Sequence, residues 1–164
     1  MGKEFFLILI TMLVFSSCVQ PHAIGDGSGT DMVSVPFVRT RSGHILVTVE
    51  INGKKAYLII DTGASSSIIH MGRIEYLGLE SRDKKCKASG IGTSTYDMKE
   101  VLVPMMTLNS VSYSNPEFNG VDLYHIEQID YNQTLDGIIG SDFLEKHKAI
   151  IDYKNKSLLL KKPI

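Results

Sequence analysis

The sequence predicts a mainly β fold, a small closed or folded-over barrel with one short helix near the C-terminus. Three observations predict it. From Val33 onward apolar and polar residues alternate with a period close to two, the spacing of strands that turn one face to a core. Turn residues at Asn52-Gly53, Pro104, Asn115-Pro116 and Asn119-Gly120 cut the chain into short strands. The clearest helix start is Asp142-Phe143-Leu144-Glu145, where Asp142 would be the N-cap and Glu145 would reach back to it. With 164 residues, 43% of them hydrophobic, the chain has enough material for one domain with a real core. A formal net charge of -1 argues against nucleic acid as a partner, because phosphate binding needs a concentrated basic surface. The lysines at Lys84, Lys85 and Lys87 and at the C-terminus read as solvated faces.

The first residues read as a targeting segment. Met1-Gly2-Lys3-Glu4 precedes an apolar run from Phe5 to Phe15. That run is shorter than the roughly 20 residues a helix needs to span a bilayer, and it suits the apolar region of a secretory signal. Residues 1–17 are therefore expected to be a signal peptide. Ser16-Ser17-Cys18 resembles a bacterial lipobox, in which Cys18 would become the lipid-modified first residue. Two features depart from that pattern: Phe15 stands where leucine is usual, and Glu4 dilutes the positive start. The expected location is the bacterial cell envelope, lipid-anchored outside the cytoplasm, on the periplasmic side or the cell surface; soluble secretion is the alternative. Residues 18–32 are rich in Gly, Ser, Asp and Pro and read as a flexible tether, leaving 33–164 as the folded domain. If Cys18 carries lipid, Cys86 has no partner, so no disulfide is expected and Cys86 reads as a small, partly buried apolar residue.

Within the domain, Ile45, Val47, Val49 and Ile51 share one strand face, with Thr48 and Glu50 on the other. Asn52-Gly53 is a hairpin turn, since both residues tolerate positive φ, and Lys54 to Ile60 is its second arm. Ile68 to Leu79 has the length of a short helix weakened by Gly72 and Gly78. Lys85–Ser89 and Tyr96–Val103 form a second hairpin around Gly90-Ile91-Gly92-Thr93-Ser94-Thr95. Asp136-Gly137-Ile138-Ile139-Gly140 is a brief apolar run that opens on a turn at Asp136. Ala149–Asp152 and Ser157–Lys161 close the chain as a hairpin around Lys154-Asn155.

Several chemistries lack their residues. The histidines His22, His44, His70, His125 and His147 are scattered without metal-ligand spacing, so no metal is expected. There is no G-x-S-x-G nucleophile elbow, and the Gly90–Thr95 loop lacks the third glycine of a dinucleotide motif. No cofactor is expected. What remains is a carboxylate in an unusual place. The segment Leu58-Ile59-Ile60-Asp61-Thr62-Gly63-Ala64-Ser65 ends an apolar strand on Asp61, and an ionised carboxylate there must reach the surface or find a partner.

Hairpin, apolar strand, Asp-Thr-Gly-Ala-Ser, then a distant Gly-Ile-Ile-Gly and a helix, in this order, resemble the retropepsin-like aspartic proteases. The resemblance runs from about His44 to Leu160 and is greater to bacterial, envelope-attached members than to viral ones. It implies a single-lobe acid-protease β-barrel and an aspartic endopeptidase acting on a peptide or protein substrate. It implies roles residue by residue: Asp61 as the catalytic aspartate; Thr62 holding the loop through its hydroxyl; Gly63 permitting the turn; Ala64 and Ser65 lining the cleft. Gly90, Ile91, Gly92 and Thr93 would form the flap tip, and Ile138, Ile139 and Gly140 the second motif beneath the loop. Such enzymes need two carboxylates that share one proton. This chain has one Asp-Thr-Gly, so the resemblance implies a homodimer with Asp61 from each copy. Viral members follow the second-motif glycine with an arginine that pairs with an acid after the loop. Here those positions hold Ser141 and Ser65, which calls for a different local connection. The alternative reading is an inactive barrel of the same fold, an envelope lipoprotein acting as a binding module.

Overall fold

The computed structural model describes residues 31–89, 95–124 and 134–163. The expected signal peptide, Cys18, most of the tether, and the expected flap tip at Gly90, Ile91, Gly92 and Thr93 lie outside the described residues, as does the side chain of Cys86. The strands are β1 (Met32–Arg39), β2 (Ile45–Ile51), β3 (Lys54–Ile60), β4 (Ile68–His70), β5 (Glu80–Ser89), β6 (Thr95–Leu102), β7 (Met105–Leu108), β8 (Val111–Ser114), β9 (Glu117–Val121), β10 (Gly137–Ile139), β11 (Ile150–Asp152) and β12 (Ser157–Lys161), with short helices α1 (Ile74–Leu77) and α2 (Ser141–Lys146). The mainly β architecture with a short helix before the last hairpin matches the expectation from sequence.

Strand order runs β11-β12-β1-β2-β3-β10-β4-β9-β6-β5. β2 also pairs with β7 through Glu50↔Thr107 and Ile51↔Met106, so the sheet branches there and folds over its own core. The β2–β3 hairpin turns at Asn52 and Gly53 with φ of 51° and 75°, the two left-handed positions that a two-residue turn of this kind requires.

Alternation fills the main core. Val33, Val35 and Phe37 of β1 and Val47, Val49 and Ile51 of β2 are all buried in one cluster. A second cluster lies on the opposite face, built from Leu46, Ile59, Val121, Leu123, Leu135 and Ile138. β2 and β3 are therefore covered on both faces at one end, which is why Leu58-Ile59-Ile60 is an unbroken apolar run. Aromatic edges hold α2 in place. The rings of Tyr113 and Phe143 lie 5.2 Å apart, and that of His147 lies 4.6 Å from Tyr113 and 4.4 Å from Phe143. Burial pushes the His147 imidazole below its ordinary pKa, so the fold favours the neutral ring and loses that preference as pH falls below about 6.5.

Four local expectations are corrected. Ile68–Leu79 is not one helix: Ile68–His70 is β4, Met71–Arg73 is a 3-10 turn, and only Ile74–Leu77 is α-helical before Gly78 ends it at φ 64°. Tertiary pairing decides this, because β4 bonds to both β10 and β9. Asn119-Gly120 is no turn but part of β9. A Cβ on Gly120 would stand 2.4 Å from Met71 Sδ and 2.9 Å from Val101 Cγ2, so glycine serves close packing there. Asp142 is not the N-cap of α2; Gly140 occupies that position in extended conformation with no side-chain cap. Asp136 opens no turn: it is 1% exposed and accepts hydrogen bonds from Tyr57 N at 2.7 Å and Arg73 Nε at 2.5 Å.

Two consequences can be measured. Asp136→Asn removes the charged partner of Arg73 inside the fold, and breaking such a pair costs about 3 kcal/mol. Denaturant unfolding should show that loss, and an unchanged midpoint and slope would refute the role given to the pair. Gly140→Ala would set a Cβ 2.6 Å from the backbone of Ser66 and 2.9 Å from Ala64 O, atoms that cannot rotate away. Overpacking of this kind costs about 1–3 kcal/mol, so the variant should melt well below wild type. Equal melting temperatures would show that the loop yields freely at this point.

Candidate active site

The site is built where β10 lies between β3 and β4. β10 runs parallel to β3, with Gly137↔Leu58, Ile138↔Ile59 and Ile139↔Ile60, and antiparallel to β4. The chain leaving β3 must therefore cross the end of β10 to enter β4, and the crossing segment is 61–67. Asp61 is its first residue.

Each anchor of that crossing loop lies on residues 139–142. Asp61 N donates to Ile139 O at 3.0 Å, and Ser141 N donates to Ala64 O at 2.8 Å. Gly140 N donates to Ser67 Oγ at 3.1 Å. Ser67 in turn donates from its N and Oγ to the Asp142 carboxylate at 2.9 and 2.7 Å. Ser67 is fully buried. This is the connection found where the viral pattern has its arginine and acid: Ser141 contributes its backbone N–H, and a serine hydroxyl paired with Asp142 replaces the ion pair.

The loop holds Asp61 outward. Asp61, Thr62, Gly63 and Ser65 are exposed and Ala64 is half-buried. Gly63 N donates to Asp61 Oδ1 at 2.8 Å, and Ala64 N donates to Asp61 O at 3.2 Å, so the turn fixes one carboxylate oxygen and leaves the other to face outward chemistry. The reason for Gly63 differs from the expected one. Its φ lies outside the left-handed region; instead, a Cβ there would approach Asp61 Oδ1 to 3.2 Å. Beneath the loop, Ile139 is fully buried in the main core and Ile138 is buried in the second cluster. Beside it runs a groove of about 650 Å³, lined by Ser65 and Ser66, by Glu100–Pro104 following β6, by Glu117–Asn119 of β9 and by Asp142.

The structure thus brings the Asp-Thr-Gly loop and the Gly-Ile-Ile-Gly segment together. The other acids near these segments are already engaged, Asp136 with Arg73 and Tyr57 N, Asp142 with Ser67. Among the described residues, no group of three or more His, Cys, Asp or Glu side chains is arranged to hold a metal ion. Ser67 and Asp142 were not legible as partners. Three consecutive serines offer no sign of which one turns inward, and the two residues are 75 positions apart.

Comparison with known proteins agrees with this geometry. The aspartyl protease family model matches residues 47–143, more than half of the chain, from within β2 into α2. No protein in the curated sequence set matches the chain. Among solved structures, a retropepsin-like aspartic protease from Rickettsia conorii is similar at 19% identity with a TM-score of 0.52, over 79% of this chain and 89% of that one. The retroviral protease-like domain of Ddi1 from Leishmania major is similar at 21% identity with a TM-score of 0.49, over 78% of this chain and 89% of that one. The first of these shares the fold. With its Asp-Thr-Gly loop seated on the Gly-Ile-Ile-Gly segment in a barrel of that shape, the chain belongs to the aspartyl protease family, in its retropepsin-like form.

Proposed function

We propose that the chain is an aspartic endopeptidase whose active site forms when Asp61 of one copy meets Asp61 of a second. The observation that carries this reading is the state of the three relevant carboxylates. Asp61 is exposed at the end of a buried strand, with one oxygen held by Gly63 N. Asp136 and Asp142 are committed to structural partners and offer no second acid to it. A second copy related by a two-fold axis supplies the missing group from the same surface.

In this reading the two carboxylates hold one proton between them. The ionised one takes a proton from a water molecule as its oxygen adds to the scissile carbonyl carbon. The protonated one donates to the carbonyl oxygen. In the resulting tetrahedral species the C–N bond then breaks, the nitrogen leaves with a proton from the dyad, and the carbonyl re-forms as the new carboxyl end. The loop contributes preorganisation: its backbone is fixed by residues 139–142 before substrate arrives. The groove beside Ser65 and Ser66 gives room for an extended peptide. Export and lipid attachment at Cys18 belong to the same proposal and rest on the first residues of the sequence alone. Confinement to a membrane would raise the effective concentration of chains and favour the paired state.

Two outcomes are expected. Asp61→Asn should keep the unfolding profile of wild type and lose cleavage of a mixed peptide library, read by mass spectrometry. A folded variant that still cleaves would remove Asp61 from the chemistry. The second concerns assembly. Specific activity of the full chain in detergent solution should fall on dilution, and an excess of Asp61→Asn chains should suppress wild-type activity beyond simple dilution, because mixed pairs carry one native carboxylate. Constant specific activity into a monomeric range, measured by light scattering, would show that each chain works alone.

A further inference from the structure

We propose that Asp142 is a positioning residue: acting through Ser67, it fixes the shape of the loop that carries Asp61. That this shape matters for turnover rests on the function proposed above; that Asp142 sets it does not.

The argument is one of donors and acceptors. Asp142 Oδ1 accepts from Ser67 Oγ at 2.7 Å and from Phe143 N at 2.7 Å, and Oδ2 accepts from Ser67 N at 2.9 Å. Both carboxylate oxygens therefore face N–H or O–H donors. Ser67 is fully buried, and its Oγ also accepts from Gly140 N at 3.1 Å. Its hydroxyl proton is thus aimed at Asp142 while a lone pair serves the second motif. An asparagine at 142 has one acceptor oxygen and one NH₂. In one orientation the NH₂ confronts Phe143 N–H; in the other it confronts Ser67 N–H. Either way a donor meets a donor, and a buried group of the loop loses its partner. A carboxylate is the group of this size that satisfies all three.

The effect reaches Asp61 along the backbone. Ser67 ends the crossing loop, Gly140 and Ser141 hold its end and its middle, and Ile139 holds its start. These anchors sit on consecutive residues, so a shift at Ser67 alters the register of the rest. Asp142 is also the first of these residues whose side chain, rather than backbone, makes the link, so it is the one a substitution can reach without deleting a strand.

The test uses the full chain, amide hydrogen exchange and peptide-library cleavage. In Asp142→Asn, exchange at Ala64, Ser67, Gly140 and Ser141 should speed up at least about tenfold, while amides of the β2–β3 hairpin keep their wild-type rates. Cleavage should show kcat down by about tenfold or more with KM within about twofold, the pattern of a misplaced reacting group. Ser67→Ala, which keeps the Ser67 N bond to Asp142, should show the same changes on a smaller scale, and the double variant should be no worse than Asp142→Asn alone. Unchanged exchange at these four amides would overturn the proposal, as would a folded Asp142→Asn chain with wild-type kcat. If Asp142→Asn does not fold, Ser67→Ala decides by the same criteria. If wild type cleaves nothing, the function proposed above fails, and the exchange rates alone decide the role of Asp142.

Discussion

The placement of β10 between β3 and β4 is the constraint on which the site depends. β10 is parallel to one neighbour and antiparallel to the other, so the segment joining those neighbours must pass over its end. Loops usually run free over a surface. This one is pinned, because the strand it crosses continues directly beneath it, and the backbone groups of 139–142 meet those of 61–67. The glycines follow from the same geometry. A Cβ on Gly137 would stand 2.2 Å from Ile68 O, and one on Gly140 2.6 Å from Ser66. Both positions need the absence of a side chain more than any special φ.

Three carboxylates near this crossing show how surroundings divide labour. Asp136 is buried and answered by a guanidinium and a backbone N–H, so it ties the segment before β10 to β3 and to the turn after β4. Asp142 is answered by a buried serine and ties the start of α2 to the loop. Asp61 is left at the surface with a single intrachain donor to its carboxylate, the Gly63 N–H. Buried carboxylates carry a large desolvation cost unless hydrogen bonds or charges answer them. The two that are spoken for are thereby removed from chemistry, and the exposed one is the group left to react.

A one-lobed barrel with one such carboxylate holds half of what acid-dyad catalysis requires. The proposal of a shared site places the other half on a second copy, which makes activity depend on assembly. It also explains why the loop is held so firmly within each chain. Two carboxylates must meet at hydrogen-bond distance across an interface, and each can be placed only as well as its own loop is fixed.

Much of the fold was legible in the sequence because local rules decided it. Period-two alternation located β1, β2 and β3; Asn52-Gly53 set the hairpin turn by its tolerance of positive φ; and the Asp-Thr-Gly and Gly-Ile-Ile-Gly segments marked the two halves of the site. The misreadings fall where pairing between distant residues overrode local preference. Ile68–His70 became a strand because β10 and β9 offered bonds on both sides. Asn119-Gly120 stayed extended because Met71 and Val101 press against the glycine. Asp136 and Asp142 look like turn and cap residues in isolation, and both turned instead to partners far along the chain, Tyr57 at a separation of 79 and Ser67 at 75. The sequence by itself determined which segments are strands, where they turn and which carboxylate stands out, since those depend on neighbours in the chain. Only the tertiary structure decided which acids are bound and which is left exposed, because a buried charge is settled by whichever donors the fold brings to it.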